Sequence, residues 1–302
     1  MIREQEFKHF YKSDLVHALV YTEKERKSIV LQLVLSAVLP LLLVPIFSVL
    51  YYETKHEYFL IPVIILLVGP PIYINKLLGD TIFYRNFKKK IIGKIIRYIS
   101  PNLDYDNLNK VDDAEYDASH FFTNKNTIIY GDDHVTGTIN GIKVQFSELL
   151  AEFRSKDDAK KADNKFQFRG LFFVAEFPSK FPCNVTLKTT GIPADETEED
   201  YVINHETFDS LFYINVISGK ENIRKTLTTN VVNAMLEIEQ TIHNEFVVSF
   251  VDNKVYFGVS HDEDLFEPTL FHSMMNQDKM KAYFDDLFYP IYFIEQLTKE
   301  FK

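Results

Sequence analysis

Three carboxylates gathered in one short stretch are the residues of this chain best suited to chemistry. Asp132 and Asp133 stand side by side in Gly131-Asp132-Asp133, and Glu148 follows beyond a glycine turn. Carboxylate oxygens are hard donors that suit Mg²⁺ or Ca²⁺. Asp132, Asp133 and Glu148 therefore form a candidate divalent-cation site, and with a cation a candidate hydrolytic centre. The same residues have a plainer use. Aspartates in turns accept hydrogen bonds from their own backbone, and Glu148 can accept an N–H at the start of a helix read over residues 147–154, with Ser147 as its N-cap. Gly-Asp-Asp between strands also mimics the metal turn of RNA-dependent polymerases. The domain is too small and too acidic for that enzyme, and no second carboxylate strand accompanies it.

Other chemistry is thinner. Asp104-Tyr105-Asp106 has the Asp-x-Asp spacing of sugar-nucleotide transferases, but no Rossmann-like pattern supports it. His134, His205, His243, His261 and His272 are scattered, without the helical His pair or the Cys partner that zinc sites use. The P-loop, the dinucleotide-binding glycine fingerprint and the serine nucleophile elbow are all missing from the sequence. The single Cys183 excludes an internal disulfide framework and fits a reducing compartment. No cofactor is evident beyond a divalent cation.

Positioning the carboxylates requires a sheet. From residue 127 the hydrophobic period falls to two. Residues 127–130 read as a strand ending at Gly131-Asp132-Asp133, and residues 135–139 and 142–146 flank Asn140-Gly141. Asn-Gly between alternating runs is the strongest short hairpin signal, because both turn positions take φ > 0 and these residues accept it cheaply. Gly131, Val135, Gly137, Asn140 and Gly141 are expected to shape this hairpin, and Gly170 to mark a bulge or close approach in the next strand, 166–177. Residues 183–189 and 201–204 read as strands, the latter followed by the segment 207–212. A helix over 221–239, a hairpin of 247–251 and 255–259 around Asp252-Asn253, and a final helix over 278–301 interrupted by Pro290 complete the pattern. Residues 104–117, 155–164 and 191–200 are polar and read as loops. Meandering strands separated by helices indicate an α+β fold with an antiparallel sheet and flanking helices.

The N-terminal third differs. Residues 29–52 hold 24 positions without a charge, and residues 58–75 hold 18 more. A helix rises about 1.5 Å per residue and the hydrocarbon layer is roughly 30 Å thick, so both runs are long enough to span it. Arg3, Lys8, Lys12, Lys24, Arg26 and Lys27 precede the spans, and Lys76, Arg85, Lys88, Lys89, Lys90, Lys94 and Arg97 follow them. The connector has Lys55 alone. By the positive-inside rule both termini and the large domain face the cytosol. Neither span contains an Asp, Glu, Lys, Arg or His, which disfavours a pump or transporter. Gln32 and Ser36 share a helix face and are placed to hydrogen-bond between helices.

The expected division is an N-terminal cytosolic helix over 1–28, two transmembrane helices over 29–78, an amphipathic juxtamembrane helix over 79–100, and a cytosolic α+β domain over 101–302. The stripe Phe87, Ile91, Ile92, Ile95, Ile96 and Ile99 suits either an anionic lipid surface or a packed core, and the core is the preferred reading. From Tyr98 onward there are 19 Lys and Arg against 35 Asp and Glu, a net charge of −16. Such a domain repels phosphate backbones, so nucleic acid is not an expected partner. With 27 Phe and 17 Tyr the domain is expected to be ordered.

The stretch YGDDHVTGTINGIKVQFSEL, residues 130–149, resembles a bacterial family of uncharacterised membrane proteins, domain-of-unknown-function family 3137. FRGLFFVAEF at 168–177 is similar to that family's Phe-x-Gly-x-Phe-Phe strand. Residues 208–216 and the apolar helix after them resemble its Phe-acid-x-x-Phe-x-Val segment. Asp132 stands where Glu is usual. The resemblance implies a two-pass topology in the inner membrane and no activity. The leading expectation is therefore an inner-membrane-anchored interaction or sensing domain, partnered by the bilayer and by another protein or a second copy of itself. The alternatives are a ligand-gated two-pass effector that oligomerises and perturbs the membrane, and a metal-dependent hydrolase.

Overall fold

Helix dominates up to residue 99 and strand thereafter, in a computed structural model that describes residues 2–78, 81–122, 127–154, 164–192, 200–242 and 244–301. The chain divides into two compact units, Met1–Ile92 with Glu267–Gln277, and Gly93–Phe266 with Asp278–Lys302.

In the first unit, α1 (Ile2–Phe10) passes through a π-turn at Tyr11–Leu15 into α2 (Val16–Thr54). Phe7, Phe10, Tyr11, Leu15 and Leu19 recur at helical spacing and bury one stripe. Beyond Ile29 the helix is apolar all round and its side chains face outward; Leu41 is 74% exposed. Lys55, at φ 57°, caps the helix by donating its N–H to the Tyr51 carbonyl at 2.8 Å. A turn at Glu57–Phe59 leads into α3 (Leu60–Leu78), whose 19 residues reach about 28 Å. Both helices are long and apolar enough to cross a membrane. The hydroxyl of Tyr73 on α3 donates to Gln32 Oε1 on α2, so the polar face of the first run meets the second.

After α4 (Thr81–Phe87) and a π-turn at Lys88–Ile92 comes α5 (Gly93–Ile99). Phe87, Ile91, Ile92, Ile95 and Ile96 are buried, so this stripe serves as core and not as a lipid-facing surface.

The second unit holds one antiparallel sheet of eight strands, built from β1 (Leu103–Asp106), β2 (Thr127–Ile139), β3 (Ile142–Arg154), β4 (Asn164–Glu176), β5 (Asn184–Thr189), β6 (Phe212–Ser218), β7 (Phe246–Val251) and β8 (Lys254–Ser260), in the order β1-β2-β3-β4-β8-β7-β5-β6. Besides α5, its helices are α6 (Asp113–Ala118), α7 (Glu206–Leu211), α8 (Ile223–Thr226), α9 (Thr229–Glu239) and α10 (Gln277–Glu300). The fold is α+β, as expected. Adjacent Phe172 and Phe173 show how period two divides the core. Phe172 joins Tyr116, Phe121, Phe168 and Tyr256 on one face. Phe173 stacks on Phe146 at 4.2 Å and meets Phe257 on the other face, where Phe257 touches Phe293 of α10.

Several local expectations are corrected. Residues 147–154 are strand, not helix. Ser147, Leu149 and Ala151 alternate into the interior, and pairing with β2 and β4 on both sides outweighs the helical propensity of Leu, Ala and Glu. Residues 127–139 form one bulged strand instead of two short ones. The supposed loop 104–117 contains β1 and α6, the latter N-capped by Asp112. Residues 201–204 are not a strand, because the N–H groups of Ile203 and His205 donate to the two carboxylate oxygens of Asp209. The helix over 221–239 breaks at Leu227, where Thr228 caps α9 and Thr226 accepts the Cys183 N–H. Pro290 sits inside a continuous α10. Most of 155–164 and 191–200, and all of His243, lie outside the described residues.

Candidate functional site

The acidic stretch is built on a strand irregularity. Asp132 pairs with Glu148 across β2 and β3, and the next pair is Val135 with Phe146. Two residues, Asp133 and His134, thus oppose Ser147 alone, a β-bulge. Asp133 takes φ 58° and turns its side chain inward, leaving it 2% exposed. Glu148 is also buried. One oxygen from each of Asp132, Asp133 and Glu148 lies within 4.8 Å of the others.

Protein donors engage Asp133 and Glu148. The Tyr105 hydroxyl donates to Asp133 Oδ1, and the Leu265 N–H donates to Glu148 Oε1 at 2.6 Å. Glu148 therefore serves a distant segment instead of a helix start. Ser147 Oγ accepts the Val111 N–H at 2.8 Å and is no N-cap. Three carboxylates on a rigid strand pair suit a hard cation in donor type. They suit equally the pinning of β1 and the 265 segment to the bulge.

The glycines sit where backbones approach. A Cβ on Gly131 would lie 2.4 Å from the Glu148 carbonyl oxygen, and one on Gly137 would lie 2.2 Å from that of Asn102. On Gly170, at φ 146°, it would lie 1.8 Å from the Val259 oxygen. Asn140 and Gly141 have φ 51° and 87° in the hairpin turn, and a Cβ on Gly141 would meet nothing within 4 Å. Val135 is fully buried beside the bulge. Tyr105, centre of the Asp-x-Asp match, lies in β1 and not in a loop. His205 caps α7, His134 contacts Gln145, and His272 is exposed.

Two further polar centres carry no motif in the sequence. In the first unit, Glu23 forms a two-pronged pair with Arg26 at 2.7 and 2.9 Å and accepts the Met274 N–H at 2.9 Å. Arg26 donates to the Leu270 carbonyl at 2.6 Å, Tyr11 donates to the Met275 carbonyl at 3.3 Å, and buried Lys88 pairs with Glu267 at 2.9 Å. The segment Glu267–Gln277 is thereby clasped to the base of α2 and the turn after α4. In sequence Arg26 and Lys88 read only as flanking charge; their structural use depends on partners some 200 residues away. The hydrogen bonds from Arg26 and Met274 hold the Glu23 pKa down at about 2, against the cost of burial. In the second unit, His261 Nε2 lies 3.6 Å from Asp286 Oδ1, with Asn244 at 3.0 Å from its other ring nitrogen. Burial pushes the His261 pKa down to about 4 and the Asp286 pKa up to about 7.

Comparison with known proteins agrees with the family resemblance. Residues 166–299, from β4 into the last turn of α10, match the family described as "Protein of unknown function (DUF3137)". The segments 168–177 and 208–216 fall inside this match and the 130–149 stretch falls outside it. No curated protein matches the chain. A solved structure, the crystal structure of the mycobacterial trehalose monomycolate transport factor A, TtfA, aligns with 66% of this chain and 93% of its own at 9% identity, with a TM-score of 0.33.

Proposed function

We propose that this protein is a non-catalytic interaction domain anchored in the bacterial inner membrane by α2 and α3, with both termini and the sheet domain in the cytosol. One observation carries the reading: the outward surface of α2 and α3 is lined by large apolar residues such as Leu41, Leu42, Ile64, Ile65 and Ile72, all more than half exposed. A surface of this extent on a soluble protein marks a partner or a membrane. Its occupant here is the bilayer, given the length of both helices. The engaged state of Glu148 and Asp133 favours a binding role over catalysis for the sheet.

The test is extraction and sidedness. Full-length protein should stay with membranes through alkaline carbonate. Protease should cut the sheet domain in inverted vesicles but not in intact spheroplasts, and cross-linking in native membranes should capture a protein partner or a second copy. Release by carbonate, or cleavage from outside, overturns the anchored topology. Leakage of dye from vesicles on protein addition would instead favour the membrane-perturbing effector.

A second reading is kept for the carboxylates, because three of their oxygens converge within 4.8 Å. Calorimetric titration with Mg²⁺, Mn²⁺ and Ca²⁺ decides it. Binding lost in Asp132→Asn supports a metal centre, and no heat with any of the three removes it.

A further inference from the structure

A cavity of about 280 Å³ opens where the apolar run of α2 begins. Ile29, Leu77 and Phe83 give it an apolar wall, and Glu25, Ser28 and Asn86 a polar one. Glu25 precedes Ile29 by four residues, about 6 Å along the helix axis. The polar layer on each side of a bilayer is roughly 5–7 Å thick, taken as half the difference between total and hydrocarbon thickness. With residues 29–52 in hydrocarbon, Glu25 lies at headgroup depth and the apolar wall lies at the acyl boundary.

The Glu25 carboxylate is poorly served by the protein. Its Oε1 is 3.6 Å from Lys90 Nζ, beyond hydrogen-bond reach, and that ammonium also sits 4.0 Å from the centre of the Tyr21 ring. Its Oε2 is buried and accepts no hydrogen bond among the described residues. Two positions earlier, Glu23 accepts from Arg26 and from a backbone N–H. A carboxylate short of donors gains free energy from a charged donor that reaches it. The side chain of Glu25 is 27% exposed, and the oxygen a ligand can reach is Oε1, which accepts no hydrogen bond among the described residues either.

We infer that this cavity binds a phospholipid whose headgroup ends in a primary ammonium, with Glu25 as the acceptor of its N–H donors. A primary ammonium brings both positive charge and hydrogen-bond donors. A choline headgroup carries the same charge and phosphate but no N–H. A glycerol headgroup offers hydroxyl donors but leaves the lipid anionic, which Glu25 repels. Lys90, whose ammonium lies 3.6 Å from Glu25 Oε1, is the cation beside the site and supplies positive charge for the phosphate. The lipid's glycerol and first acyl carbons then lie along Ile29, Leu77 and Phe83. The site requires the bilayer anchoring proposed above.

The test uses delipidated full-length protein in detergent, titrated with short-chain phosphatidylethanolamine and phosphatidylcholine, with bound lipid counted by native mass spectrometry. A charge-assisted hydrogen bond corresponds to about a tenfold preference for the ethanolamine lipid. Stepwise N-methylation of the headgroup should erode that preference, and Glu25→Gln should reduce it to about threefold or less while thermal unfolding stays unchanged. Equal binding of the two lipids by the wild type overturns the inference, as does a preference that survives in Glu25→Gln. Displacement of the lipid by equimolar soluble phosphoethanolamine would overturn its lipid character. Carbonate extraction of the same preparation separates the two failures: an integral protein without headgroup preference refutes only the site, and a carbonate-released protein refutes the anchoring itself.

Discussion

Glu23 and Asp286 are buried acids, one in each compact unit, and the protein treats them oppositely. Glu23 meets a guanidinium and a backbone N–H, so it stays charged well below its usual range. Asp286 faces a histidine that burial keeps neutral, with like-charged Asp285 nearby, so its proton is retained up to about pH 7. Burial alone raises a carboxyl pKa in both places. The number and charge of donors within reach decide whether it wins. The lesson extends to the bulge, where Asp133 and Glu148 receive donors from Tyr105 and Leu265.

The largest expected effect removes one side of the comparison. Gly170 pairs with Ser260, next to His261, whose N–H donates to the Arg169 carbonyl. Gly170→Val drives a side chain into the Val259 backbone and should abolish the cooperative unfolding of the sheet domain, seen as lost protease resistance. A wild-type digestion pattern would mean that β4 and β8 tolerate separation at this point.

Next comes the clasp. Glu23→Ala leaves Arg26 and the Met274 N–H without their acceptor, a loss of about 3 kcal/mol for a broken buried pair. Proteolysis in detergent should then cut first within 267–277. An unchanged cleavage order would show that the clasp contributes little.

The pH dependence sharpens the contrast further. Glu23 has a folded pKa below its ordinary value, so its stabilisation is full above about pH 4.5 and is lost as pH falls towards 2. Asp286 has a raised folded pKa, so its contribution is present below about pH 4 and is lost as pH rises towards 7. His261 has a lowered folded pKa, so its contribution is full above about pH 6.5 and is lost as pH falls towards 4. The last two oppose each other between pH 4 and 6.5. Asp286→Asn should uncover the histidine slope, with a melting temperature that climbs by a few degrees across that window while the wild type stays flat. Parallel profiles would separate the two groups thermodynamically.

The smallest effect is expected at the hairpin turn. Gly141→Ala meets no neighbour but must hold φ 87°, which costs about 1 kcal/mol. Thermal unfolding against wild type measures it, and a larger loss would mean that the turn, not the sheet, directs β2–β3 pairing.

Local order was written plainly in the chain. The two apolar runs, the Asn-Gly hairpin, the Asp252-Asn253 hairpin and the alternating Phe-rich strand need only spacing and turn chemistry to be read. Segment 147–154 resisted because its composition favours helix, while the neighbours that make it a central strand lie in β2 and β4. The grouping of Asp132 with Glu148 was legible across one glycine turn. The bulge that buries Asp133 was not, because an extra residue in a strand leaves no periodic signature.

The sequence by itself determined where this protein is apolar, where it turns, and that helix gives way to an antiparallel sheet, because those properties depend on near neighbours. The tertiary structure alone decided which charges are working parts. Arg26 and Lys88 became a clasp, Glu25 was left short of donors, and Asp286 retained its proton, because the free energy of a buried charge depends on groups that only the folded chain brings within 3–4 Å.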